Sequence, residues 1–412
     1  MPRLAINGGE KVRTKLWPKW PVWDEREIKA LEEVIRSGHW GRLYEGSKVE
    51  QFEKAFAAYQ DARFGIAVTS GTAALTVALK AAGIDVGDEV IVPAYTFIAT
   101  ATCALQVNAV PVFVDVELDT INIDPAEIEA AITPRTRAVI PVHWQGRAAD
   151  MDRILEIAKR HNLVVVEDAC HGWGAMWKDR KVGAIGDLGG FSFQMSKNIT
   201  SGEGGIVLTN DEELAAKAYS YQHIGRIPGR PFYEHHYVGW NFRMTEFEAA
   251  VLLVQLERLE EQTVRREENA KFLDKELRNI DGIRPLRRES YMTRISWHGY
   301  SFRYEQDAFG GVSRDRFLQA LNAEGVRAFE GYSHPLYKNP LFIERRFGRI
   351  AEIIKFPDYR SVYCPNSERL CQEHVILDHA MLLGTTEDMQ DIVGAVEKIR
   401  ENIEELRTQS SG

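Results

Sequence analysis

The sequence predicts an α/β fold: a large domain on a mostly parallel sheet flanked by helices, followed by a smaller α+β domain. From about residue 65, short runs rich in Val and Ile alternate with amphipathic stretches. Strands that are apolar along their whole length are typical of a sheet covered by helices on both faces. The chain of 412 residues is longer than one small core requires, and its last third mixes strand-like and helical segments. We therefore expect the large domain over residues 1–260 and the small C-terminal domain over residues 261–412.

The predicted strands of the large sheet are five apolar runs, at residues 89–93, 110–115, 138–142, 163–168 and 189–193. Helix start signals lie between them: Asp124 precedes Pro125, and another helix is expected from about Asp150 to His161. Upstream of the sheet, Asp24 is the expected cap of a helix with apolar residues at helical spacing. Those apolar residues are Ile28, Leu31, Val34 and Ile35.

A long helix, continuous or interrupted, is predicted from Thr245 to about Asn279, and such a helix commonly links two domains. Its apolar face is expected to hold Leu252, Leu253, Leu256 and Leu259. Its solvent side is expected to hold Arg265, Arg266, Glu267 and Glu268. Beyond it, we expect a strand over residues 295–302 and helices near residues 313–325 and 385–406. Residues 408–412 are expected to form a frayed tail.

Composition and charge argue against several classes of function. The net charge is −9 and Lys and Arg form no block, so a nucleic-acid partner is not expected. No apolar stretch approaches the roughly 20 residues of a membrane span, and the first residues lack the apolar core of a signal peptide. The four cysteines are widely spaced without a CxxC pair, a pattern that indicates neither a metal site nor a disulfide framework. We expect a cytoplasmic protein that holds no metal.

Lys197 lies within FSFQMSKNITSGEGG (residues 191–205), where small and polar residues surround it. A lysine amine in such a setting can form a Schiff base with an aldehyde cofactor. Asp168 ends the apolar run before it, and ligands of open parallel sheets bind beyond such strand ends. A carboxylate there can keep a pyridine nitrogen protonated. Together they make pyridoxal 5′-phosphate (PLP) the leading cofactor hypothesis; a surface lysine and a turn-capping aspartate are the alternatives.

Two further segments fit a PLP site. Residues 70–72, Ser-Gly-Thr, form a turn that opens a predicted helix, and the free N–H groups and dipole of a helix start suit a phosphate. A capped structural helix is the alternative there. Phe97, or else Tyr95, is a candidate to lie against the pyridine ring, although aromatic residues after a strand often belong to the core. Ser192 is a further candidate phosphate donor near Lys197.

The ordered segments TSGTAAL, PAYTF, VVVEDACHGWGA, FSFQMSKNITSGEGG and GWNFRMTEFEAAVLLVQL resemble the sugar and cyclitol aminotransferases of the DegT/StrS type. Those proteins are PLP enzymes of fold type I, and the resemblance extends from about residue 15 to about residue 400. It implies a fold-type I aminotransferase that uses PLP, a small-molecule amino donor and a keto acceptor. It also implies a homodimer with shared active sites.

The resemblance assigns the catalytic residues. The lysine that bonds the cofactor falls on Lys197, and the aspartate that holds the pyridine nitrogen falls on Asp168. His171 stands where the family often has Gln, near the phenolic oxygen of the cofactor, and its protonation state is left open. Relatives with His in place of the lysine are dehydratases, so Lys197 favours transamination. In that reaction it would carry a proton between the α-carbon of the donor and the cofactor.

The resemblance also assigns the phosphate site to the turn that opens the predicted helix. Gly71 and Thr72 bind the phosphate, next to Ser70, and Ser192 contributes. Asn241 matches an asparagine that reaches the phosphate of the neighbouring subunit. A PLP-binding protein that has lost catalysis is the rival reading, but such a protein has no reason to keep the lysine, the aspartate and the phosphate turn together.

The C-terminal part resembles the glutamine-dependent aminotransferases of keto-cyclitols such as scyllo-inosose, on residues 299–304, 309–311, 337–342 and 376–383. Two alternatives stay open. A nucleotide-keto-sugar aminotransferase needs cationic groups for a diphosphate, and no basic cluster is apparent. An enzyme similar to aminohydroxybenzoate synthases is the other, because that branch shares His171. The resemblance places these substrate candidates around the pocket, each with a structural role as its alternative: Trp40, Arg42, Tyr44, His143, Trp144, His334 and His379.

Overall fold

The computed structural model describes residues 3–43 and 45–407. Its strands are β1 (Phe64–Val68), β2 (Glu89–Pro93), β3 (Val110–Val114), β4 (Thr136–Val139), β5 (Val164–Asp168), β6 (Met176–Trp177), β7 (Arg180–Lys181), β8 (Leu188–Ser192), β9 (Gly205–Thr209), β10 (Ile283–Pro285), β11 (Met292–Arg294), β12 (Tyr300–Tyr304), β13 (Ala328–Glu330) and β14 (His374–Leu377). Its α-helices are α1 (Glu25–Ser37), α2 (Lys48–Tyr59), α3 (Gly71–Ala81), α4 (Ala99–Gln106), α5 (Pro125–Ala130), α6 (Met151–His161), α7 (Glu212–Gln222), α8 (Glu246–Leu277), α9 (Arg314–Ala323), α10 (Pro340–Ile343), α11 (Ile350–Ile353), α12 (Pro365–Glu373), α13 (Thr386–Glu401) and α14 (Glu404–Arg407).

The large sheet has seven strands in the order β1-β9-β8-β5-β4-β2-β3. Strands β8, β5, β4, β2 and β3 pair in parallel, whereas β9 runs antiparallel to both of its neighbours, β8 and the edge strand β1. Helix α3 packs against β8 and β9. The predicted α/β class with a large, mostly parallel sheet is confirmed. Since parallel strands end at the same edge, the residues after β2, β5 and β8 meet there.

The strand expected over residues 295–302 is wrong in its first half. Strand β12 begins only at Tyr300. Trp297 has a φ of 54° and Gly299 a φ of 135°, and neither conformation fits an extended ladder. The preceding residues instead form a loop that contacts the large domain, where Ser296 Oγ donates a hydrogen bond to the carbonyl of His171 at 2.6 Å.

Helix α8 is continuous, and Thr245 caps it in a box closed by Glu248. The expected solvent side is wrong at two positions, because Arg266 is fully buried and Glu267 nearly so. Glu267 accepts hydrogen bonds from the Trp297 indole and the Arg288 guanidinium, both at 2.5 Å. The physical reason is that α8 packs against α1 and α2 of one region and α13 of the other.

The second sheet is antiparallel, in the order β10-β12-β14-β13. Helices α9 and α13 contact one another beside it. The expected domain boundary between residues 260 and 261 falls inside α8, so we propose the same two domains with this helix shared between them. The N-terminal segment is anchored on the second region, where the Arg13 guanidinium lies 2.7 Å from Asp388 and from Asp391.

In residues 3–43 and 45–407 no helix has the length and apolar character needed to cross a membrane. Cys103, Cys170, Cys364 and Cys371 are all unpaired thiols. Asp24 caps α1 as expected. Two apolar residues of that helix, Ile28 and Ile35, are however 46% and 57% exposed.

Candidate active site

A cavity of about 930 Å³ opens where the parallel strands of the large sheet end. The start of α3, the end of β5, the loop after β8 and the ends of β13 and β14 all contribute to its lining. Ten residues predicted from the sequence line it: Ser70, Gly71, Thr72, Phe97, Trp144, Asp168, His171, Ser192, Lys197 and His379. Residues more than 300 positions apart in the chain therefore meet at one site.

Several predicted substrate residues are not among those that line this cavity. Trp40 is 54% exposed and packs on Phe247, with ring centroids 5.7 Å apart. Arg42 is held by the Glu53 carboxylate at 2.5 Å. His334 is exposed, and its nearest described polar contact is the hydroxyl of the residue before it, at 2.9 Å. The prediction for Tyr44 lies outside the described residues.

His143 is also absent from the lining and is fully buried. Its Nδ1 accepts the Ala149 N–H at 3.1 Å, so Nε2 carries the proton and donates to Glu167 at 2.8 Å. Glu167 further accepts backbone N–H groups at Gly183 and Gly186, both at 2.7 Å. Burial alone would raise the pKa of Glu167, but these hydrogen bonds outweigh burial and lower it. The arrangement supports the end of β5 just before Asp168.

Asn241 lies on the exposed segment that leads into α8. Its backbone forms an isolated antiparallel bridge with His223. The chain's own cavity does not include it.

Asp168 is nearly buried at the carboxyl end of β5 and faces the cavity. Its Oδ2 accepts the Thr100 hydroxyl at 2.7 Å, and its Oδ1 accepts the Cys170 N–H at 3.2 Å. Two donors from different elements thus hold the carboxylate in one orientation. A buried, oriented carboxylate of this kind is suited to pair with a cation or with a protonated ring nitrogen.

The turn before α3 approaches β8 so closely that only glycine fits at position 71. A Cβ on Gly71 would lie 2.7 Å from Ser192 Cβ and 2.9 Å from Cys170 Sγ. Ser70 caps the helix by accepting the Ala73 N–H at 3.1 Å. A helix N-terminus flanked by two serine hydroxyls and a threonine is suited to bind a phosphate group.

Lys197 lies in the loop after β8, with its Nζ 3.0 Å from His171 Nε2. Since His171 Nδ1 accepts the Gln145 N–H at 3.4 Å, the His171 proton resides on Nε2. That proton points at the lysine nitrogen, an arrangement that favours the uncharged form of the amine. Burial lowers the pKa of Lys197, with Cys170 and Asp168 opposing the shift. The pKa of His171 is held far below its ordinary value by burial and by Lys197.

Sequence reasoning missed several residues that line the cavity: Trp20, Gln145, His298, Arg327 and Tyr332. Trp20 comes from the N-terminal segment, and its indole N–H donates to the Met195 carbonyl at 3.0 Å, two residues before the lysine. The cluster of tryptophans near the N-terminus was the one available signal. The others have no local signal because they arrive from the second region or from loops.

The chain matches the model of the DegT/DnrJ/EryC1/StrS aminotransferase family over residues 21–397. The chain belongs to this family. The L-glutamine:2-deoxy-scyllo-inosose aminotransferase of Streptoalloteichus tenebrarius is 40% identical over 98% of the chain and 99% of the relative. The L-glutamine:scyllo-inosose aminotransferase of Streptomyces griseus is 38% identical with the same coverage. The crystal structure of a 3-amino-5-hydroxybenzoic acid synthase aligns with a TM-score of 0.86 at 34% identity, over 95% of this chain and 100% of that one.

Family membership makes the protein a PLP-dependent transaminase, as the sequence predicted. The residues of the cavity fit this cofactor. The Gly71 turn leaves room that a side chain would fill, Asp168 faces the cavity without an ion-pair partner among the described residues, and Lys197 presents its amine to the same cavity. When bound, PLP supplies an aldehyde that reacts with amines and a ring that withdraws electrons from the α-carbon of the substrate.

Proposed function

We propose that this protein transfers the amino group of L-glutamine to the ketone of a cyclitol of the scyllo-inosose type. The observation that carries the proposal is the Lys197 amine, 3.0 Å from His171 Nε2, in a cavity wide enough for a ring. The choice of donor and acceptor rests on the relatives named above, which match nearly the whole chain.

The geometry of the cavity supports the roles that the family resemblance implies. Lys197 takes a proton from the α-carbon of the donor and returns it on the cofactor side, which requires the neutral amine that burial favours. Asp168 would hold the protonated pyridine nitrogen, and His171 would lie near the phenolic oxygen. Ser70, Gly71, Thr72 and Ser192 would bind the phosphate, and Phe97 would lie against the ring.

The charge of the lining favours a neutral acceptor over a nucleotide-linked sugar. Among the described lining residues the basic side chains are Lys197 and Arg327, and the acidic ones are Asp168, Glu203, Glu330 and Asp378. Arg327 lies 3.7 Å from Asp378, which offsets its charge. A diphosphate would meet more carboxylates than cations, whereas a polyhydroxylated ring can hydrogen-bond to either. His379 and Trp144 are the predicted substrate residues that this cavity retains.

We further propose a homodimer in which Asn241 reaches the phosphate of the neighbouring subunit. Several apolar side chains near it are exposed in the single chain, including Phe232 at 65% and Val238 at 94%. Exposed apolar groups on this scale mark interaction surfaces. The exposed stripe of α1, with Ile28 and Ile35, gives further support. Trp40, Arg42 and His334 are proposed to act only in such an assembly. The cytoplasmic location stays a prediction.

The test uses visible absorbance of the purified protein loaded with PLP. Glutamine should abolish the absorbance of the aldehyde form, and scyllo-inosose or 2-deoxy-scyllo-inosose should restore it. Lys197→Ala should lower turnover by at least about 100-fold, the lower end of what a positioned proton carrier contributes. Restoration by nucleotide-linked keto-sugars but by no cyclitol would refute the proposed acceptor. Undiminished turnover of Lys197→Ala would refute the assigned lysine.

A further inference from the structure

Three histidines lie side by side in the cavity: His171, His298 and His379. The rings of His171 and His298 have centroids 4.4 Å apart, and those of His298 and His379 are 5.4 Å apart. The first is the partner of Lys197, whereas His298 has no role in the chemistry described so far. Which ring nitrogen carries the proton decides what each histidine can offer a substrate.

The tautomer of His298 is set by Asn198, a buried residue next to the lysine. The Asn198 side-chain N–H₂ donates to the carbonyl of Ser296 at 2.8 Å and toward that of Trp297 at 3.4 Å. Carbonyl oxygens only accept hydrogen bonds, so the two carbonyls must face the amide nitrogen of Asn198 and not its oxygen. The orientation of this amide is therefore fixed by its surroundings. Its Oδ1 therefore faces His298 Nδ1, at 3.1 Å. An amide oxygen can only accept, so Nδ1 of His298 carries the proton.

His298 Nε2 is consequently an unprotonated acceptor. Among the described residues, the only hydrogen bond of the His298 side chain is the one between Nδ1 and Asn198. The side chain lines the cavity. The neighbouring histidines differ. His171 directs its N–H at Lys197, and His379 accepts the buried Arg266 guanidinium on Nδ1 at 3.3 Å. Burial and the surrounding basic groups, Lys197, His171, His379 and Arg266, lower the pKa of His298 far below its ordinary value.

We propose that His298 Nε2 accepts a hydrogen bond from a ring hydroxyl of the keto acceptor, which makes it a specificity-determining residue of the second half-reaction. The proposal rests on the proposed function. The lone pair of His298 Nε2 disfavours the carboxylate of the amino donor, because a carboxylate has no hydrogen to donate. A cyclitol offers hydroxyl donors around its ring, so one of them can meet this acceptor while the ketone faces Lys197. Asn198 is then a positioning residue that fixes the tautomer.

The kinetic test separates the two half-reactions by absorbance. His298→Phe keeps an aromatic ring and removes the acceptor, whereas His298→Gln places an amide oxygen near the position of Nε2. We expect kcat/KM for 2-deoxy-scyllo-inosose to fall about 10- to 100-fold in the Phe variant, with a recovery of roughly 5-fold or more in the Gln variant. The rate of reaction with glutamine should change less than about 3-fold. His161→Phe, on the exposed end of α6, is the matched control and should match wild type in both.

A second measurement does not depend on activity. Nitrogen-15 labelled histidine in the cofactor-free protein should show, for the signal lost in His298→Phe, the form protonated at Nδ1. A signal from the form protonated at Nε2 would overturn the proposal even if the kinetics agreed. Should the Phe variant fail to fold, the Gln variant still decides, because it must retain more acceptor reactivity than His298→Ala.

The outcomes distinguish the two proposals. A wild-type enzyme that reacts with glutamine but with no ring ketone refutes the proposed function and the hydroxyl contact with it. A wild-type enzyme active on a ring ketone, together with equal losses in both half-reactions or a loss confined to glutamine, overturns only the role of His298.

Discussion

Replacing Gly71 by alanine tests the close approach on which the phosphate site depends. The added methyl carbon would lie 2.7 Å from Ser192 Cβ and 2.9 Å from Cys170 Sγ. Non-bonded carbons rest at about 3.5–4.0 Å, so the methyl group overlaps Ser192 by roughly 1 Å. Overpacking of this kind typically costs about 1–3 kcal/mol. Because the same turn is the proposed phosphate cradle, we expect both the free energy of unfolding and the affinity for PLP to fall.

The assay compares denaturant unfolding of the cofactor-free protein with a PLP titration followed by absorbance. Gly394→Ala in α13 is the control, since a Cβ there meets only Val12 Cγ1 at 3.8 Å, an ordinary contact. An alanine inside a helix is favoured over glycine by roughly 0.5–1 kcal/mol, so this variant should equal or exceed wild type in stability.

Two results would refute the reasoning in different places. If Gly71→Ala unfolded like wild type, the turn would be able to relax and the packing argument would be wrong. If it lost stability but bound PLP with unchanged affinity, the packing would stand and the turn would not hold the phosphate.

Three further predictions test the surroundings of the site. Thr100→Val should lower the free energy of unfolding by about 2 kcal/mol, because Asp168 loses the hydroxyl that donates to it at 2.7 Å. Thr100→Ser keeps that donor and is the control. Equal losses of stability in the two variants, measured by chemical denaturation, would contradict a stabilising role of this hydrogen bond. Lys197→Met should raise the stability of the cofactor-free protein at pH 7, since the folded-state pKa of Lys197 is lowered and the unfolded chain binds the extra proton. This gain in stability should shrink as the pH rises toward the ordinary pKa of lysine. If no gain were seen at pH 7, burial of the Lys197 amine would not lower the free energy of unfolding. His143→Ala should lower the free energy of unfolding by roughly 2–4 kcal/mol, because buried Glu167 loses its partner. The relative kcat/KM values for different ketones should stay unchanged. A changed order of preferred ketones would show that His143 contacts the substrate.

Much of the proposed cofactor site could be predicted from the sequence, because its parts follow strand ends. Asp168 ends β5, Ser192 ends β8, and Gly71 opens α3, each within a short motif. The position of each of these residues at a strand end or helix start is specified by its own short motif. The topology of a parallel sheet then brings them to one edge without further information. The same reasoning failed for Arg266 and Glu267, because helical periodicity cannot show that a second region covers the outer face of α8.

The sequence by itself determined the α/β class and five of the seven strands of the large sheet, and it predicted the lysine, the aspartate and the phosphate turn of the proposed site. These depend on periodicity and on residues close together in the chain. Only the tertiary structure decided that His143 supports Glu167 away from the cavity, that Trp20 reaches the loop of the lysine, and that His298 faces the cavity with a free acceptor. The physical reason is that tautomers and burial follow from contacts between distant segments, such as the 100 positions that separate Asn198 from His298.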